Sequence, residues 1–140
     1  TITDPRMTRF VLTLNEGVEL VLWTLQNSIG SEIVIPKIPS VKIIDIANAI
    51  DSSLKIKKIG IRLGEKLHED LMTEAESSNT LELNDRYILL PFVEKKYIDH
   101  YKKISKKVKR LNNFSYSSNT NNEFLSVEQI KNILKLEKFI

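Results

Sequence analysis

Arg62, Gly64 and Glu65 are residues whose types and spacing suit ligand chemistry. An Arg and a carboxylate three residues apart across a glycine turn can point into one cleft. The guanidinium offers a planar fork of donors that matches phosphate. A glutamate can accept two hydroxyl protons from a sugar. The alternative is a surface ion pair beside a helix start. A second candidate cation, Lys37, lies in a loop stiffened by Pro36 and Pro39. It could meet a phosphate or remain a solvated lysine.

Much other chemistry is missing. The four glycines, Gly17, Gly30, Gly60 and Gly64, form no glycine-rich strand–turn–helix able to cradle a pyrophosphate. His68-Glu69 opens like a zinc-protease motif, but Met72 stands where the second histidine would be, so no metal site is expected. Without cysteine there is neither a disulfide framework nor a thiolate site. No serine sits in a nucleophile-elbow sequence. No catalytic residue is therefore expected in this chain.

The elements that must position the candidates read as follows. Thr13 and Glu16 form a capping box, and Leu14, Val18, Val21, Leu22 and Leu25 recur at helical spacing, with Gly30 as a stop. Trp23 falls at the edge of that stripe. Glu32–Ile35 reads as a strand, Lys42–Ile50 as a short helix marked by Ile43, Ala47 and Ile50, and Ile56–Ile61 as a strand delivering Arg62 to the turn. Lys66–Met72 is expected to be helical. Thr80–Leu83 and Arg86–Leu90 read as a hairpin around Asn84-Asp85. Tyr97, Tyr101, Ile104, Val108 and Leu111 are spaced as one amphipathic basic helix over Lys95–Arg110. A last helix begins at Ser126, with Gln129 completing a capping box and Leu125 placed to staple onto Ile130.

With 140 residues and 41% apolar content, one modest core can be filled. The net charge of +3 hides an asymmetry: Thr1–Glu94 carries 10 basic and 14 acidic residues, whereas Lys95–Ile140 carries 11 and 4. A basic tail on an acidic body suggests a nucleic-acid or anionic-surface element. No apolar run approaches the ~18 residues of a membrane span, and the N-terminus shows no signal-peptide pattern. A cytoplasmic location without a membrane partner is expected.

Three ordered motifs carry a resemblance: Asp4-Pro5-Arg6-Met7-Thr8-Arg9-Phe10, Pro36-Lys37-Ile38-Pro39-Ser40 and Ile61-Arg62-Leu63-Gly64-Glu65-Lys66-Leu67-His68-Glu69. Together they resemble nucleotide-sugar 4,6-dehydratases, specifically the inverting UDP-N-acetylglucosamine dehydratases of flagellin-sugar and capsule biosynthesis. These belong to the extended short-chain dehydrogenase/reductase superfamily. The likeness covers Thr1 to about Leu90 and Tyr116 to Leu134, always in the family's C-terminal part. It implies an α/β fold, here a small α+β substrate-binding domain without its Rossmann cofactor domain. That missing N-terminal domain would be a partner, and the chain, which lacks an initiator methionine, would be a fragment. The Tyr-x-x-x-Lys pair that supplies the superfamily's general base is absent as well.

By resemblance, Arg9 contacts the substrate diphosphate, and Arg62 and Glu65 contact diphosphate and ribose. Related enzymes often carry Asp at the position of Glu65. The alternative for Arg9 is a structural salt bridge, for instance to Glu16. The implied parent is a homo-oligomer acting on a UDP-sugar with bound NAD(P). A hydride leaves C4 of the hexose, water is eliminated across C5 and C6, and the hydride returns at C6 with inversion at C5. The resemblance puts those steps upstream of this chain, so no cofactor and no turnover are expected of it alone. The expected division is a nucleotide-sugar-binding region 1–94, a basic helix or linker 95–114 where the family has an irregular linker, and a polar loop with docking helix 115–140. The competing reading is a nucleic-acid or anionic-surface module built on residues 95–110, although no known nucleic-acid motif is present. A third is a structural piece mediating oligomer contacts through its last helix.

Overall fold

The computed structural model describes residues 1–139; residue 140, the end of the last predicted segment, lies outside the described residues. In chain order the elements are β1 (Thr8–Phe10), α1 (Leu14–Asn27), β2 (Ile33–Pro36), β3 (Ser40–Lys42), α2 (Ile43–Ile50), β4 (Asp70–Met72), α3 (Glu74–Ser77), β5 (Thr80–Glu82), β6 (Arg86–Leu89), α4 (Lys95–Ile104), β7 (Lys109–Arg110), β8 (Tyr116–Ser117) and α5 (Val127–Leu136). The fold is mixed α/β, as expected. Its elements cluster into two compact units that interleave along the chain.

One unit comprises Thr1–Thr13, Ile38–Asp70 and the chain from Ser117 onward. Here β1 pairs antiparallel with β3, setting Arg9 opposite Val41. α2 packs against α5 around Val41, Ala49 and Ile130, with Val11, Ile46, Leu125 and Leu134 alongside. Ala49, not Ile50, is the buried end of α2; Ile50 faces outward. The α5 start is as predicted: Gln129 N–H donates to Ser126 Oγ at 3.3 Å, and Gln129 Oε1 accepts from Ser126 N–H at 2.8 Å. Those reciprocal bonds satisfy amides that the first helical turn leaves open.

Two expected elements of this unit do not form. The strand over Ile56–Ile61 is reduced to one parallel bridge between Lys58 and Ile2. It lies along the N-terminal segment, bonded through Ile2 N–H to Lys57 O at 2.9 Å and Gly60 N–H to Thr3 O at 3.0 Å. That segment turns away at Asp4, where Met7 N–H bonds the Asp4 carbonyl at 3.1 Å, and Gly60 takes φ +87°. The helix over Lys66–Met72 is likewise absent. Glu69 N–H donates to Ser118 Oγ at 2.9 Å and Glu69 O accepts from Ser118 N–H at 2.8 Å. Those distant partners take the polar groups that a helix would satisfy internally.

The other unit comprises Leu14–Lys37 and Leu71–Tyr116. Its antiparallel sheet runs β2-β6-β5-β7. The β5–β6 hairpin forms as predicted, closed by Leu83 N–H to Arg86 O at 2.9 Å. Leu81, Leu83, Ile88 and Leu90 meet Tyr97 and Tyr101 of α4 in the core, and Trp23 and Val108 pack against them. Tyr101 is fully buried and donates to Glu32 Oε1 at 3.1 Å, and burial pushes its hydroxyl up to about 12. The basic helix stops at Ile104, earlier than its periodicity predicts. Ser105 is extended, and Lys109–Arg110 pairs with β5 instead. On α1 the predicted stripe is exposed, and Trp23 lies on the packed side with Leu20 and Thr24. There the Arg86 guanidinium stacks 3.8 Å from the Trp23 ring, a geometry that favours cation–π attraction.

Candidate functional site

Arg62 to Glu69 is a loop fastened at both ends. At its start, Glu65 N–H bonds the Arg62 carbonyl at 3.1 Å, and Gly64 at the third position has φ +84°. A four-residue turn with positive φ there favours glycine for its backbone, and a Cβ would meet nothing within 4 Å. One Glu65 oxygen accepts from the Arg62 backbone N–H at 2.9 Å. The other lies 3.8 Å from Arg62 Nη1, a loose ion pair. The Arg62 side chain is 69% exposed.

Arg9 fastens the other end. β1 directs it to the carbonyls of Thr8 at 2.7 Å, Lys66 at 2.9 Å and Leu67 at 3.2 Å. Its Nε also faces Glu69 at 3.4 Å. The strand's alternation turns Thr8 the opposite way, into a buried set of hydroxyls. Thr8 Oγ1 lies 2.8 Å from His68 Nδ1 and 2.7 Å from Ser118 Oγ. Ser118 Oγ also accepts from Glu69 N–H, which ties the hydroxyl pair to the loop backbone. His68 is thus a partly buried hydrogen-bonding group.

The structure brings Arg9, Arg62 and Glu65 to one loop. Lys37 belongs to the other unit and, with its side chain 25% exposed, is already engaged: its ammonium contacts Glu82 at 2.8 Å, Leu83 O at 2.9 Å and Asn84 O at 3.3 Å. It closes the β5–β6 turn. Thr8 and Glu69 lie within the recognised motifs, but their bonds to Ser118, which lies in none of the three, escaped the sequence reading.

A dinucleotide does not fit the residues of this chain. Its β1–β3 pair and four-stranded sheet are antiparallel. The positive-φ glycines Gly30, Gly60 and Gly64 are scattered rather than gathered at one strand–helix junction. A pyrophosphate cradle needs a parallel strand–turn–helix with clustered glycines. Among the described residues, no His, Asp and Glu cluster could hold a metal ion, and no helix is long and apolar enough to cross a membrane.

Residues 1–91 match the family described as "Polysaccharide biosynthesis protein", and the chain belongs to that family. It is 41% identical over 139 residues to a UDP-N-acetylglucosamine 4,6-dehydratase (inverting) of Campylobacter jejuni serotype O:2, covering 95% of this chain and 41% of that protein. A UDP-glucose 4-epimerase of Rickettsia massiliae is 34% identical, over 96% of this chain and 40% of its own length. Among solved structures, Pen from Bacillus thuringiensis superposes with a TM-score of 0.81 at 28% identity, covering 99% of this chain and 41% of the other. The chain thus spans about two fifths of the length of these relatives, in their C-terminal part.

Proposed function

We propose that this chain is the part of a nucleotide-sugar 4,6-dehydratase that holds the nucleotide end of UDP-N-acetylglucosamine. Arg62 is the diphosphate contact, Glu65 accepts from the ribose, and Arg9 fixes the loop that carries both. The carrying observation is the unequal engagement of the two guanidinium groups. Arg9 already bonds three carbonyls and Met7 Sδ and faces Glu69, so reaching a phosphate would cost it an existing partner. Among the described residues, the Arg62 side chain has only its loose 3.8 Å pairing to surrender. A charge-assisted bond to phosphate contributes roughly 1.5–3 kcal/mol.

The relatives support the same end of the substrate. A 4,6-dehydratase and a 4-epimerase differ in chemistry, yet both names carry a UDP-sugar, so the shared recognition element is UDP. In this reading the chain orients a substrate whose reacting carbons, like the NAD(P), are held by another part of a longer cytoplasmic polypeptide. Gripping the remote end positions the reacting one. This chain alone makes and breaks no bond.

Calorimetric titration of UDP into the chain tests the reading. Arg62→Lys keeps the charge but loses the fork, and should weaken binding by about 1–3 kcal/mol, or roughly 5- to 150-fold. Glu65→Gln should cost less, because its amide oxygen still accepts one proton. Unchanged affinity in both Arg62→Lys and Arg62→Ala would return the turn to a surface ion pair.

A further inference from the structure

The two ends of the loop from Arg62 to Glu69 are held in different ways. Its start is fastened locally, by the turn that joins Arg62 to Glu65. Its far end takes bonds from residues distant in sequence. Glu69 gives both backbone groups to Ser118: its N–H donates to Ser118 Oγ at 2.9 Å, and its carbonyl accepts from Ser118 N–H at 2.8 Å. Ser118 Oγ also lies 2.7 Å from Thr8 Oγ1, which contacts His68 Nδ1 at 2.8 Å. Thr8 N–H in turn donates to the Leu67 carbonyl at 3.1 Å.

Ser118 is fully buried, and Thr8 is buried beside it. Solvent cannot stand in for a hydroxyl lost from such a cluster, so each bond depends on the others. Ser118 is itself anchored. Just beyond it, Asn121 Nδ2 donates to Ile38 O at 2.9 Å and to Ser40 Oγ at 3.0 Å, and Ser40 N–H donates to Glu123 O at 2.8 Å. Ser40 begins β3, and β3 pairs with β1, which carries Thr8 and Arg9. The bonds therefore close a ring, from β1 through β3 and the 118–123 segment to Glu69, and back through Thr8.

We infer that Ser118 is a positioning residue for nucleotide binding. Through Glu69 and Thr8 it sets where the loop lies, and so where Arg62 and Glu65 stand, without touching the ligand. The inference rests on the reading that Arg62 and Glu65 hold UDP. It makes their affinity depend on a residue 49 positions beyond Glu69. A loop outside any helix or strand has many conformations to lose. Holding it in one of them beforehand spares the ligand that ordering cost.

Calorimetric titration of UDP and hydrogen–deuterium exchange, both on the 140-residue chain, test this. Ser118→Ala should weaken UDP binding roughly tenfold, since the ligand must then order the loop itself. Without ligand, the amides of residues 66–69 should exchange faster than in the parent. Those of α2 should stay protected, which reports that the unit still folds. Thr8→Val removes the other hydroxyl at nearly constant volume and should act in the same way. Thr8→Ser, which keeps the hydroxyl, should recover most of the affinity. In an Arg62→Ala background, Ser118→Ala should weaken binding little further, because it acts through Arg62. A further loss of full size there would overturn the inference, since Ser118 would then act through overall stability. So would parent-like affinity in both Ser118→Ala and Thr8→Val while Arg62→Ala binds weakly, a result that leaves the nucleotide reading standing. Unchanged affinity in Arg62→Ala and Arg62→Lys alike would fail the nucleotide reading, and the inference with it.

Discussion

Asp4 is 2% exposed and carries a full complement of partners. Its carboxylate accepts from Arg6 Nε, Nη2 and backbone N–H, each at 2.9 Å, and pairs with Lys58 at 3.0 Å. Those bonds, the Arg6 side chain's foremost, hold its carboxyl well below the usual carboxylate range. A pKa lowered by folding adds stability above the unfolded value, which is lost as pH falls toward the folded one. Thermal melts between pH 7 and pH 2 should therefore show Asp4→Asn less stable at neutrality and less sensitive to acid than the parent. Parallel curves would dissociate Asp4 from acid stability. Residues of this kind also mark how far the sequence could be read. The Arg62–Gly64–Glu65 turn was legible because its bonds are local. The Thr8 partners were not, since they lie 60 and 110 positions away at His68 and Ser118.

Elements divide along the same line. The α5 capping box spans three positions and could be read directly. Ser126→Ala should destabilise the chain by about 1 kcal/mol, measured as a shift in urea midpoint at unchanged slope; no shift would mean that helix packing alone sets the boundary. The hairpin at Asn84-Asp85 was legible for the same reason. The segments before and after the Arg62 turn were not. Ile56–Ile61 has strand-like composition but, among the described residues, makes a single bridge, Lys58 to Ile2, and Lys66–Met72 has helical composition but gives its polar groups at Glu69 to Ser118. In α1 the apolar periodicity was correct and the packed face was not. Period tells which residues share a face, whereas burial depends on what lies opposite.

For the molecule as a whole, charge is the property that the nucleotide-binding reading does not absorb. Lys102, Lys103, Lys106, Lys107 and Lys109 are all exposed along the end of α4 and β7. Within the unit they attract phosphate without selecting sequence, because exposed lysines act through counterion release. Binding to heparin or mixed-sequence DNA should be weak and fall steeply with salt. A tight, sequence-selective complex at physiological salt would instead favour the nucleic-acid reading. The interleaving of the two units also orders their assembly on the ribosome. The α1-containing unit is complete once Tyr116 has emerged. The other has displayed β1, β3 and α2 long before, yet its core closes only when Ile130 arrives against Ala49. The nascent Arg62–Glu69 loop must therefore wait, with Thr8 and Glu69 lacking Ser118, until position 118 has been translated. A premature stop after Tyr116 would leave one unit whole and the other without its closing helix.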